Sequence, residues 1–215
     1  MPRADSDVPW VFGSAGGSLV GATWAANAAV AKVGRVAELR TATVLNRLAA
    51  RPGGPTVLHD LGIPIPNISA NIDHAMVSGR RVLVIDSKGW RPARYWSVGG
   101  MAFHGWHRFG HASGATPRMA VDGLERFLRG RGVRARPMTP VVVVWPSSGR
   151  GRLSVALLGM SGCRVVRGDR LPRAVRRAVR LQPADPAIVD ALRRLLNTPA
   201  AGRSRNTVLA APRHR

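Results

Sequence analysis

Val82-Leu83-Val84-Ile85-Asp86-Ser87-Lys88 is the stretch that decides the fold. Four aliphatic residues run without a break, as in a strand covered on both faces. The run then ends on an acid, a serine and a lysine. Side chains alternate along a strand, so Asp86 and Lys88, two apart, share one face. Just upstream, Ser78-Gly79-Arg80 reads as a hairpin turn, and residues 71–77 read as the partner strand. That partner carries Asp73, so an antiparallel pairing brings two carboxylates and one ammonium together.

The rest of the chain extends this hairpin in both directions. Residues 56–60 read as a first strand, separated from the second by Pro64 and Pro66. Residues 23–50 read as a helix, with Val30, Val33, Ala37, Thr41, Val44, Leu45 and Leu48 on one stripe. Arg51-Pro52-Gly53-Gly54-Pro55 stops that helix. Downstream, residues 94–103 read as a fourth strand and 104–117 as a Gly- and His-rich loop. Residues 119–129 read as a short helix, and 140–145 as a buried strand through Val141-Val142-Val143-Val144. Residues 153–158 and 163–166 read as edge strands. Residues 169–181 and 186–196 read as helices, with Asp169 and Asp185 near their starts as caps. The order of helix, three or four strands, helix and strand is that of an α/β sandwich, a central mixed sheet flanked by helices. The expected organisation is a small-residue segment over 1–22, a core over 23–166, basic helices over 167–197 and a basic tail over 198–215.

Composition bounds the function. The chain has 215 residues, 45% of them hydrophobic, which suits a packed domain and not a wholly disordered chain. Its one cysteine, Cys163, excludes an internal disulfide framework and fits a reducing compartment, so a cytoplasmic location is expected. Residues 8–31 carry no charge, but Gly, Ala and Ser dominate them. They read as a loop leading into a small-residue helix, with no obligate membrane partner. The net charge is +22, which points to a polyanion and first to nucleic acid. Residues 126–215 hold 20 basic side chains against 3 acidic ones, so the C-terminal part is the expected contact. There Arg173, Arg176, Arg177 and Arg180 are expected on one helical face, placed to hold a phosphate backbone. Trp90, Trp96 and Trp106 lie among Arg91, Arg94 and Arg108, a pattern that suits either base stacking or ordinary core packing.

Only two of the 33 basic residues are lysines, Lys32 and Lys88, and Glu38 is one of only two glutamates. Two carboxylates on adjacent strands are a hard-cation site, suited to Mg²⁺ or Mn²⁺. Such a cation activates water and neutralises a phosphodiester oxygen. A compact ammonium beside it, Lys88, orients the water or stabilises the transition-state charge, a task for which a guanidinium is a poor substitute. Asp73 and Asp86 are the expected ligands, with Glu38 from the preceding helix as an auxiliary one. His74 follows Asp73 and points to the other face, as a structural residue.

These residues also carry a resemblance. Gly34-Arg35-Val36-Ala37-Glu38, Val57-Leu58-His59-Asp60-Leu61, Ile72-Asp73-His74 and Val84-Ile85-Asp86-Ser87-Lys88, with Trp90 close behind, resemble the nuclease-related domain (NERD) family. That family belongs to the PD-(D/E)xK restriction-endonuclease-like superfamily. The likeness runs from about Val33 to Trp90 and more loosely to Trp145. It implies an αβββαβ core and Mg²⁺-dependent phosphodiester hydrolysis, with Glu38, Asp73, Asp86 and Lys88 at the motif positions. Two departures are visible. Ala37 stands where the family usually has Gly. The Asn-Pro-x-x-Gln segment is replaced by Thr116-Pro117-Arg118-Met119-Ala120. The expected function is a metal-dependent nuclease acting on nucleic acid, DNA ahead of RNA. The alternative is a catalytically silent nuclease-like fold that grips nucleic acid through its arginines.

Overall fold

The computed structural model describes residues 10–17 and 28–197. The expected N-terminal segment therefore falls largely, and the basic tail wholly, outside the described residues. The strands are β1 (Val11–Phe12), β2 (Thr56–Gly62), β3 (Asn71–Ser78), β4 (Arg81–Trp90), β5 (Arg94–Val98), β6 (Met101–His104), β7 (His107–Arg108), β8 (Arg136–Pro137), β9 (Val141–Pro146), β10 (Ser154–Leu157) and β11 (Arg164–Arg167). The helices are α1 (Ala28–Ala49), α2 (Ala115–Arg129), α3 (Leu171–Ala178) and α4 (Pro186–Arg193), with a 3₁₀ turn at Gly168–Arg170 before α3.

The main sheet runs β1-β2-β3-β4-β9-β11, with β8 beside the start of β4. β2, β3 and β4 form an antiparallel meander, whereas β9 lies parallel to β4 and β11 parallel to β9. The sheet is thus mixed, and α1-β2-β3-β4-α2-β9 gives the expected αβββαβ core. Alternation sorts its side chains into two layers. Val57, Met76, Leu83, Ile85, Val141 and Val143 pack under α1 and α3. Leu58, Ala75, Val77, Val82 and Val84 pack under α2 and α4. A third cluster joins Trp90, Tyr95, Val142 and Val144 to a smaller sheet ordered β10-β5-β6-β7. β4 and β9 are apolar on both faces because both faces are covered.

The structure corrects four local expectations. Residues 94–103 form two strands, because Gly99 and Gly100 take φ of +54° and +77° and turn the chain into a hairpin. Residues 104–117 are not all loop: β7 adds a short strand, and α2 starts at Ala115. Asp169 caps no helix and instead forms an ion pair with Arg167, while Asp185 does cap α4, accepting the Ala187 N–H at 3.0 Å. α3 ends at Ala178, and Val179 is extended, so Arg180 leaves the helical face that Arg173, Arg176 and Arg177 share. No described helix is long and apolar enough to cross a membrane.

Candidate active site

The site arises where the sheet divides. The β3–β4 ladder pairs Ser78 with Arg81 at one end and stops at His74 opposite Ile85. Beyond that point β3 stays with β2, pairing Ile72 with Leu61 and Asn71 with Gly62. β4 stays with β9, pairing Asp86 with Val142 and Lys88 with Val144. The two strands therefore fork, and Asp73 and Asp86 stand on either side of the fork.

Asp86 and Lys88 alternate with Val82 and Val84, so both share the layer of α2 and α4, and Asp73 stands beside them at the fork. Asp73 Oδ2 accepts the Ser87 backbone N–H at 2.6 Å, replacing the ladder bond that the fork removes. Lys88 Nζ donates to Asp86 Oδ1 at 3.0 Å and lies 2.9 Å from Oδ2. Its line to Oδ2 is too poor for a second hydrogen bond, and that buried oxygen has no hydrogen-bond partner.

Glu38 comes from α1, in the opposite layer, and is 8% exposed. Burial first, then the charges of Asp60 and Asp86, push its carboxyl up to about 7, against the backbone N–H of Gly16 and the charge of Lys88. Asp73 is held well above the ordinary carboxylate range by burial, then by Asp86 and Glu38. Burial disfavours the Lys88 ammonium, but Asp86, Asp73 and Glu38 together raise its pKa. Three acids, Asp86, Asp73 and Glu38, thus share one ammonium, and the site is short of positive charge.

Asp60 is the residue that the sequence reading missed. It is buried and takes φ of +56°, unusual for a residue other than Gly, so it breaks the regular course of β2. Its Oδ1 accepts from Asn71 Nδ2 at 3.1 Å and Asn197 Nδ2 at 2.9 Å. A side chain at Gly17 would meet its Oδ2 at 2.9 Å, so Gly17 lies directly over it.

His74 occupies the α1 layer as a structural residue. Its Nδ1 meets His59 Nδ1 at 2.7 Å, and its Nε2 meets Ser87 Oγ at 3.2 Å. Ser87 Oγ donates to Thr41 Oγ1 at 2.9 Å, which also accepts Trp145 Nε1 at 2.9 Å. His59 Nε2 reaches Asn46 Oδ1 at 2.9 Å. A buried polar chain therefore holds the residue between Asp86 and Lys88 from behind. Burial keeps both imidazoles neutral, lowering His59 to about 4 and His74 well below its usual range.

A divalent cation fits this donor set in one respect and leaves it incomplete in another. The Asp86 Oδ2, ion-paired with Lys88 but without a hydrogen bond, and the excess of acids suit a cation. Yet no group of three His, Cys, Asp or Glu side chains among the described residues is arranged to hold one. Mg²⁺ commonly keeps several waters and takes only one or two carboxylates plus substrate phosphate oxygens, so two acids suffice as its protein share.

A family model for the nuclease-related domain matches residues 33–145. That span covers more than half of the chain and all four residues singled out above, so the chain belongs to the nuclease-related domain family. No curated protein and no solved structure matches the chain.

Proposed function

We propose that this protein is a cytoplasmic, Mg²⁺- or Mn²⁺-dependent nuclease of the PD-(D/E)xK type that hydrolyses phosphodiester bonds of DNA. The observation that carries this reading is the buried Asp86 Oδ2 without a hydrogen-bond partner, one face-mate from Lys88 and across the fork from Asp73. Asp73 and Asp86 would hold the cation, while Glu38, expected as an auxiliary ligand, joins no three-ligand group and adds negative charge beside them. The bound cation supplies Lewis acidity toward a phosphodiester oxygen and lowers the pKa of a water. Lys88 keeps its proton against Asp86 and offers the free N–H directions of its ammonium to the phosphate or the attacking water. Ser87 fixes Asp73 through its N–H. Arg173, Arg176 and Arg177, exposed on α3, hold backbone phosphates by charge.

The test is cleavage of plasmid and single-stranded DNA in Mg²⁺ by the wild type, Lys88→Ala and Asp86→Asn. Each variant is expected to lose about a hundredfold or more in rate. Equal cleavage by all three would overturn the mechanism. The lack of a three-ligand group among the described residues favours a second reading, a silent nuclease-like fold that binds nucleic acid without cutting it. That reading expects salt-sensitive binding that both substitutions leave intact, with no Mg²⁺-dependent products.

A further inference from the structure

A second charged feature lies at the other end of β4. A cleft of about 540 Å³ is lined by Arg80, Arg81, Arg136, Arg180, Ala135 and Gln182. Its size is that of a small-ligand site. Arg81 precedes Asp86 by five residues, so the cleft sits about 17 Å from the carboxylates along the strand.

The cleft is built by hydrogen-bond ties among three separate pieces of chain. Arg81 and Arg136 are paired in the parallel β4–β8 ladder. The Arg136 N–H donates to Arg80 O at 2.7 Å, and Arg80 Nε donates to Arg134 O at 2.7 Å. Buried Ser78 grips the segment after α3: its hydroxyl donates to Arg180 O and accepts the Gln182 N–H at 3.1 Å. Gly79 completes the clamp, donating to Pro183 O at 3.0 Å and accepting from the Asp185 N–H at 2.9 Å. A side chain at Gly79 would land 1.9 Å from Gln182 Nε2. The arginine backbones are therefore held in fixed relation, although their side chains reach toward solvent.

None of the four guanidinium groups meets a carboxylate at ion-pair distance among the described residues. Asp185, five residues beyond Arg180, is turned away to cap α4. Four like charges around one cleft repel one another, and no carboxylate among the described residues pairs with them. A guanidinium is a planar fork of donors that matches phosphate oxygens two at a time. We propose that the cleft between the β3–β4 turn, β8 and the chain leaving α3 is a binding site for an anion carrying two or more phosphate groups. Such phosphates come either from a nucleic-acid backbone or from a free polyphosphorylated compound. The proposal stands independently of cleavage at the carboxylate end.

The experiment titrates the full-length protein with inorganic tripolyphosphate by calorimetry, and with a fluorescein-labelled single-stranded 12-mer by polarisation, in EDTA. Three forms are compared: wild type, Arg81→Gln/Arg136→Gln, and a control, Arg47→Gln/Arg51→Gln. The control removes the same charge from exposed positions elsewhere. All substituted side chains except half-buried Arg81 are exposed, and circular dichroism checks the fold of each form. Tripolyphosphate is expected to bind the wild type one to one, and at least about tenfold more weakly the cleft variant, with the control unchanged. If the 12-mer competes with tripolyphosphate and loses affinity in the same variant, the phosphates belong to a backbone. If the 12-mer binds all three forms alike, the ligand is a free polyphosphate. Equal weakening in the cleft variant and the control, or no tripolyphosphate binding by wild type, would overturn the proposal.

Discussion

Asp73 Oδ2 and the backbone N–H of Ser87 are 2.6 Å apart, so a side chain of β3 stands in for the main-chain acceptor that β3 withdraws at the fork. One carboxylate thus does two separable things: it completes the backbone of β4 and it contributes charge. Asn keeps an acceptor oxygen at the same place and removes the charge; Ala removes both. Asp73→Asn is expected to stay within about 1 kcal/mol of wild type in urea unfolding, or above it, because the surrounding acids lose a like charge. Asp73→Ala is expected to lose about 1–3 kcal/mol through the orphaned N–H. Both are expected to lose nuclease activity. A fully active Asp73→Asn would remove Asp73 from the site.

His59 sets a pH dependence. Its pKa is about 4 in the folded chain, against 6.5 for the free group. The unfolded chain therefore takes up more protons between those values, and this histidine's share of stability falls as pH drops through that window. Between pH 7 and pH 5 the loss is roughly 1–2 kcal/mol. Glu38 and Asp73, whose pKa values are raised, act in the opposite sense, so the useful quantity is a difference. In EDTA, His59→Gln is expected to fall less, or rise more, than wild type when urea melts at pH 7 and pH 5 are compared. Parallel pH profiles would contradict this.

Gly89 fixes the distance between α1 and β4. A Cβ there would lie 2.5 Å from Val33 Cγ1 and 2.9 Å from Val33 O. The carbonyl cannot swing aside without moving the helix that carries Glu38. Gly89→Ala is expected to cost about 1–3 kcal/mol in thermal or urea unfolding. Cleavage is expected to fall with it under conditions where the variant is fully folded. An unchanged midpoint would show that the helix yields freely.

The tryptophans separate into two roles. Trp90 is buried, packed on Tyr95 and Phe109 at ring distances of 4.8 and 4.9 Å. Trp106 is 90% exposed at the β6–β7 turn, beside Arg108. Trp90→Ala is expected to cost about 3–5 kcal/mol of stability. Trp106→Ala is expected to cost under about 0.5 kcal/mol, yet to weaken single-stranded DNA binding by about 1–3 kcal/mol. If polarisation shows unaltered binding, the exposed ring is not a stacking platform.

The elements around the site were legible because each announces itself locally. The β4 run is continuously apolar, α1 has a clean stripe ended by Arg51-Pro52-Gly53-Gly54-Pro55, and Gly79 marks the hairpin. Period two along β4 was enough to put Asp86 and Lys88 on one face, and the hairpin brought Asp73 beside them. Other features depended on partners remote in sequence. Nothing local to Asp60 shows that Asn71 and Asn197 converge on it, and nothing local to Ser87 shows that it ties His74 to Thr41. The Gly99-Gly100 pair was a visible break that outweighs the apolar alternation around it. Arg180 was placed on a helix by spacing alone, while Ser78 draws that stretch into an extended course.

The fork between β3 and β4 is held open from outside. β2 retains one strand and β9 the other, so the aperture rests on two outer seams, Leu61 with Ile72 and Val142 with Asp86, and is bridged by the Asp73 acceptor oxygen on the Ser87 N–H rather than by its charge. Chemistry at the rim can therefore drift, acid for amide or lysine for arginine, while the opening itself persists. The same scaffold can host a cutter or a mere holder of strands without being rebuilt.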